Sequence, residues 1–343
     1  MTSTSKTERG SQPLRRWSTA LITIGVLGAA MASGLFIGGQ STSPWVVLGV
    51  IRGDVDIVAQ ALVVEIRLPR TLAAAIAGIG LGLAASLLQT LTRNPVADAG
   101  LLGANAGATV MIAFGIATGM AADFVAQSAW ALLGALTATI LVSAVGLSGR
   151  IYSATRLVLF GVALGAVLTG ITTGLMLAVP EAFDSMRSWL SGSMVGVAMP
   201  SNLTAAMLIG LSLIVALAVS RALELTLMGD DVARALGARL LPTRATTVLA
   251  VALASAAATA LVGPIGFVGL LGAHLAAATA QRLALPAALR HLVAAAGGGA
   301  LLVLADLVGR IAFWPGELPA GIVVAVIGSP FLLLIIRRNR SLT

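Results

Sequence analysis

The sequence predicts an all-α, polytopic membrane protein with about ten transmembrane helices. Three observations carry that prediction. The chain of 343 residues is 58% hydrophobic and only 10% charged, and its mean hydropathy is +1.01. Its apolar residues come in runs of roughly 20, the length that crosses a bilayer core as helix. Its 39 glycines suit close helix packing in lipid, where small side chains let backbones approach.

The segment 1–16, "MTSTSKTERGSQPLRR", is polar and predicts a disordered cytoplasmic tail. Residues 17–340 form the membrane domain. Its expected spans are 17–37, 72–91, 101–120, 125–147, 157–179, 203–219, 245–262, 266–280, 292–312 and 320–336. Each is apolar and bounded by charged, Pro-rich or Gly-rich residues. The third and eighth are the weakest, because glycines and short loops blur their ends. The opening segment also fits a secretory signal peptide loosely, through "LRRW", an apolar run and "AMASG". Cleavage there would leave nine spans.

Basic residues orient the spans, since cytoplasmic loops collect Lys and Arg. With the N-terminus inside, 16 of the 21 basic residues fall on the cytoplasmic side. Both termini are then cytoplasmic. Arg52, Arg67, Arg70, Arg187 and Arg310 remain at the outer side. The pair in "RLPR", Arg67 and Arg70, therefore stands against the inside rule. Either both snorkel to outer headgroups, or they form a docking surface for an acidic partner, since a guanidinium fork pairs well with carboxylates.

The net charge of +8 does not indicate a nucleic-acid binder, because the charges lie in short loops between spans. There are no cysteines and two histidines, so no metal site is expected. Lys6 is the only lysine, and the phosphate-cradling GxxxxGK[ST] loop is absent. The chain is not expected to hydrolyse ATP, and no catalytic residue is assigned.

The longest cytoplasmic loop is 221–244, "RALELTLMGDDVARALGARLLPTR". Gly229, Asp230 and Asp231 precede "VARALG". Asp230 or Asp231 is placed to cap a short helix, and Gly237 to end it. That helix is too short to span. It reads as a solvated loop or as a contact helix for a cytoplasmic motor, with Arg234 and Leu236 on it. Asn94-Pro95 in "TRNPVADAG" breaks the helix after the second span. Gly78 and Gly82, Gly103 and Gly107, and Gly161 and Gly165 lie one turn apart and predict close helix contacts.

The stretch "RLPRTLAAAIAGIGLGLAASLLQTLTRNPVADAGLLGANAGA" resembles the signature of the FecCD-type permeases. These are membrane subunits of ABC importers for ferric siderophores, haem and vitamin B12. "GDDVARALG" resembles that family's coupling segment. "GPIGFVGLLGAHLA" resembles its turn into the eighth span, and "LLVLADLVGRIAFWPGELPAGIVVAVIGSPFLLLIIRR" its C-terminal signature. The motifs occur in order over nearly the whole chain.

The resemblance implies a type II ABC importer permease built as an inverted repeat, with spans two to five related to spans seven to ten. It implies a second permease subunit, identical or not, and a pathway between the two. It implies two ATPase subunits that use ATP and magnesium, with no cofactor in this chain. It implies an extracytoplasmic binding protein, a ferric siderophore as substrate, and residence in the bacterial cytoplasmic membrane among membrane lipid. By the resemblance, Arg67, Arg70 and Arg310 form outward pockets for acidic residues of the binding protein, with Asp306 orienting Arg310 one turn away. Gly229, Asp230, Asp231, Arg234, Leu236 and Gly237 belong to the ATPase contact. Asn94, Val96, Ala154 and Thr155 narrow the cytoplasmic end of the pathway. Vitamin B12 or haem is the alternative substrate. The competing class is an ion- or proton-driven carrier, for which Asp306 would be the coupling group.

The chain departs from the family pattern in places. Ala273 stands where a proline usually precedes His274, "AAATA" follows that histidine, "QRLALPAALRH" replaces the usual "DHR", and Ala99 replaces a second proline. His274 reads as a helix-terminal hydrogen-bonding residue, with no role as an iron ligand.

Overall fold

The computed structural model describes the backbone of residues 5–37, 44–53, 56–147, 154–313 and 316–340. Helices occupy all ten predicted spans, and no strand occurs among the described residues. The first to fifth helices are Ser5–Phe36, Leu68–Thr92, Ala104–Ala117, Phe124–Leu147 and Ala154–Ala178. The sixth to tenth are Met199–Leu225, Leu240–Val262, Val268–Leu283, Ala287–Ala312 and Ala320–Arg340. The third and eighth are short, at 14 and 16 residues. Among the described residues, seven helices are long and apolar enough to cross a membrane by length and composition.

The first helix runs back to Ser5, through the segment predicted to be a disordered tail. Once a helix is nucleated, each added residue gains a hydrogen bond for the one conformation it fixes, so an apolar helix extends into polar sequence. Short helices missed by the sequence reading lie between spans, at Pro44–Arg52, Ile57–Ala61 and Pro180–Leu190, and a π-helical turn, Leu62–Arg67, leads into the second helix. All but Pro180–Leu190 are shorter than the window in which hydrophobic periodicity is legible.

The second and seventh helices form the centre. Of their most apolar stretches, 83% and 78% of the residues are buried, against 17% for the fifth helix. The second packs against the ninth almost backbone to backbone. A Cβ on Gly78 would lie 2.4 Å from the Gly298 carbonyl oxygen, and one on Gly82 would lie 2.2 Å from that of Ala294. Gly107 meets Gly134 in the same way. Two of the paired glycines behave differently from the prediction. Gly103, at φ +77, is a turn residue before the third helix, and Gly165 faces open space.

The two halves share a pattern. A long buried helix ends in a positive-φ residue, Arg93 or Gly263, and a short helix then starts after a left-handed residue, Gly103 or Phe267. The second helix starts beside the end of the first, whereas the seventh starts beside the end of the second. The two therefore run in opposite directions, as an inverted repeat requires. We call the end with Arg67 outer and the end with Arg93 inner, after the bias of basic residues.

Candidate functional site

The outer arginines converge, and their partners are internal. Arg67 donates through Nη1 to the carbonyls of Leu35 at 2.9 Å and Phe36 at 3.2 Å. Arg310 donates through Nη1 to the carbonyls of Gly34 at 2.8 Å and Ile37 at 3.0 Å. The last carbonyls of a helix have no partner within it, and the helix dipole makes that end negative. Two cations therefore cap the first helix. Arg310 Nε also donates to Asp306 at 2.9 Å, as the one-turn spacing predicts. Arg70 reaches the same carboxylate from the second helix, with Nη2 2.8 Å from Asp306, and pairs with Glu317 at 2.6 Å.

In this chain alone the three arginines are paired internally. Arg67 and Arg310 are only 4% and 3% exposed, so neither snorkels to headgroups nor presents a free guanidinium. The inside rule concerns charges left in loops, whereas these are taken up by helix-end carbonyls and a carboxylate. Asp306, 2% exposed and held by two guanidinium groups, is a structural counter-ion. That geometry removes the motive for reading it as a proton carrier.

The inner end carries a second cluster. Asp230 accepts from Arg244 Nη2 at 2.8 Å to each oxygen and from Arg93 Nη2 at 2.9 Å. Arg93 Nη2 also donates to the Thr226 carbonyl after the sixth helix. The Arg244 hydrogen bond holds the Asp230 carboxyl below the usual carboxylate range, against the opposing effect of burial. The short helix spans Asp230–Ala235, and its N-cap is Gly229 at φ 106 with no side-chain capping bond. The predicted cap by Asp230 or Asp231 is therefore absent. Asp230 serves the two arginines, and Asp231 takes Arg234 in an exposed pair at 3.1 Å. Gly237 ends the helix as predicted. Its N–H bonds the Arg234 carbonyl and that of Ala238 the Ala233 carbonyl, each at 2.9 Å, the pattern of a left-handed glycine cap. Val232 and Leu236 on this helix, with Met228 before it and Leu241 after it, are exposed apolar side chains.

Asn94 and Val96 lie on the inner loop after the second helix, where Asn94 Oδ1 accepts the Val96 N–H at 3.1 Å. Ala154 and Thr155 open the fifth helix. Thr155 is exposed, while the Ala154 side chain and residues 151–153 lie outside the described residues. Above them, a groove of about 440 Å³ is lined by Thr109, Thr169, Thr172, Thr173, Gly165 and Met176, among others. His274 lies within the eighth helix and sets its ring edge-on to Phe331, 5.9 Å away, so it is not helix-terminal. The other histidine, His291, is buried and pairs through Nδ1 with Ser86 Oγ at 2.8 Å. No cluster of metal-ligating side chains occurs among the described residues.

Sequence reasoning missed Glu317, Arg93 and Arg244. Glu317 had no local signal. Arg244 ends the quoted loop, 14 positions from Asp230, so a search of that loop for basic partners would have found it; Arg93 lies 137 positions away and had no local signal.

A family model described as the FecCD transport family matches residues 25–338. The ferric enterobactin transport system permease protein FepD of Escherichia coli (strain K12) is 41% identical over 318 residues, covering 90% of this chain and 92% of that protein. Protein FepG, named for the same transport system in that organism, is 32% identical and covers 94% and 97%. The vitamin B12 import system permease protein BtuC of Vibrio cholerae serotype O1 is 36% identical, covering 82% and 84%. A solved structure described as an inward-facing, metal-chelate type ABC transporter superposes with a TM-score of 0.78 at 24% identity, covering 93% of this chain and 98% of that one. At that identity it shows the shared fold.

Proposed function

The chain belongs to the FecCD transport family, and from that premise we propose that it carries a ferric siderophore through the cytoplasmic membrane as the permease subunit of an ABC importer. The observation that carries the substrate class is the 41% identity with a ferric enterobactin permease over about nine-tenths of both chains. The threonine-lined groove beside the poorly covered fifth helix supports the reading, because small and hydroxylated side chains leave room for a bulky polar chelate.

The subunit works beside a second permease chain. Two distinct permease proteins named for one transport system both resemble it, which favours a non-identical partner. Two ATPase subunits dock against the exposed side chains of 229–237, and a binding protein docks at the outer end. There the docking residues are Arg67, Arg70 and Arg310 with Asp306, of which Arg70, paired with Glu317, is the least buried. Asn94, Val96, Ala154 and Thr155 form the inner narrowing of the pathway.

Reconstitution of the chain with its ATPase, second permease and binding protein in proteoliposomes tests this reading. Uptake of iron-55 bound to a catecholate siderophore, dependent on ATP and the binding protein, is the expected result. Uptake of cobalamin with no iron uptake would move the substrate to vitamin B12. Uptake driven by a proton gradient without ATP would overturn the importer reading.

A further inference from the structure

The inner cluster has a feature that the family reading leaves unexplained. Arg93 stands at φ 53 at the C-terminal cap of the second helix, a left-handed position where glycine is free of strain and a side chain is not. Its N–H and that of Asn94 close the cap on the carbonyls of Thr90 and Gln89. A glycine would serve this turn better, so the backbone gives no reason for an arginine. The side chain does give one, because it reaches the Thr226 carbonyl and Asp230.

Asp230 in turn holds Arg244 at the start of the seventh helix. One carboxylate thus joins the short helix 230–235 to the two most buried spans of the fold. It is available for this because Gly229 takes the capping position. The link continues to the pathway, since Asn94 follows Arg93 directly and Asn94 Oδ1 holds the Val96 N–H.

We infer that Arg93 and Asp230 are positioning residues that carry movement of the 229–237 segment into the second helix and the loop holding Asn94 and Val96. The inference rests on the reading of 229–237 as the ATPase contact. The seventh helix, gripped through Arg244, moves with them, so the loop and both central spans answer one carboxylate. Exposed residues of the segment, such as Arg234 and Leu236, touch the motor but not this link.

The chain has no native cysteine, so Val96→Cys gives a single reporter on it. Its rate of modification by a polyethylene-glycol maleimide is read as a gel shift of this chain in the assembled transporter, with and without ATP plus vanadate. The expected result is a severalfold change in rate on trapping the nucleotide. In Arg93→Gly and in Asp230→Asn that change should fall below twofold, and Arg93→Lys should restore part of it. Arg93→Gly separates positioning from structure, because it relieves the left-handed cap and should leave the thermal midpoint equal or higher.

A nucleotide response that persists in both Arg93→Gly and Asp230→Asn would overturn the inference, as would a reporter indifferent to nucleotide in the otherwise unaltered chain. A combined Arg234→Ala, Leu236→Ala change tests the premise separately. If that change leaves the response intact while Arg93→Gly abolishes it, the ATPase contact is misplaced and the link stands.

Discussion

The second helix ends in an arginine–aspartate cluster on each side, and the two clusters differ in burial. At the outer end Asp306 holds Arg70 and Arg310 and is 2% exposed. At the inner end Asp230 holds Arg93 and Arg244 and is 35% exposed. Asp306 and Arg310 are removed from water, so each depends on its partner, and deleting one leaves a charge poorly compensated in apolar surroundings. At the inner end Arg93 and Asp230 are 45% and 35% exposed and give up little when they separate, although Arg244 is 11% exposed. The same chemistry therefore fixes one end of the helix to the first and ninth helices and leaves the other end adjustable. That is the division of labour a subunit needs if its outer end is a platform and its inner end follows a motor.

The sharpest way to break this comparison is to remove each carboxylate in turn. Asp306→Ala removes the buried carboxylate shared by two guanidinium groups and should cost about 3–5 kcal/mol. It should lower the thermal midpoint in detergent and the yield of monodisperse protein severely. Asp230→Ala deprives one buried guanidinium, Arg244, of its carboxylate and should cost less, about 1–3 kcal/mol. Equal losses would mean that burial does not separate the clusters.

A smaller effect should follow at the edge of the outer cluster. Glu317→Gln removes the exposed partner of Arg70 and leaves Asp306 in place, so stability should change by less than about 1 kcal/mol. The freed Nη1 should strengthen docking of the binding protein at low salt, because rim charges act mainly on encounter and orientation. Surface-plasmon measurement of affinity at low and high salt reads this directly. An affinity that falls, or does not move, would remove Arg70 from the docking surface.

The smallest effect concerns pH. Asp230 has its folded value depressed by Arg244. Its contribution is therefore full above the unfolded value of about 3.9 and is lost only as pH falls through the lower folded value. The difference in thermal midpoint between the parent chain and Asp230→Asn should be flat from about pH 8 to pH 5 and should shrink only in stronger acid. A difference that fades within that interval would show that Asp230 is not held as an ion.

Several features were legible in the sequence. Apolar runs set the ten spans, glycine spacing marked the contact of Gly78 and Gly82 with the ninth helix, and Gly237 marked the end of the short inner helix. The spacing of Asp306 and Arg310 gave their bond. These succeed because each depends on residues within a turn or two of one another. Asp230 as a helix cap failed for the opposite reason. A local rule favoured it, but two arginines from other helices outbid the backbone N–H groups for its oxygens.

The sequence by itself thus determined which segments enter the membrane, because transfer from water is a property of each segment alone. Only the tertiary structure decided what the arginines do. Arg67 finds carbonyls 32 and 31 positions back, Arg70 finds a carboxylate 236 positions ahead, and Arg93 finds one 137 positions ahead. No periodicity encodes such separations. A guanidinium near a helix end bonds whichever acceptor the packing of the helices brings within reach, and that packing is a property of the whole chain.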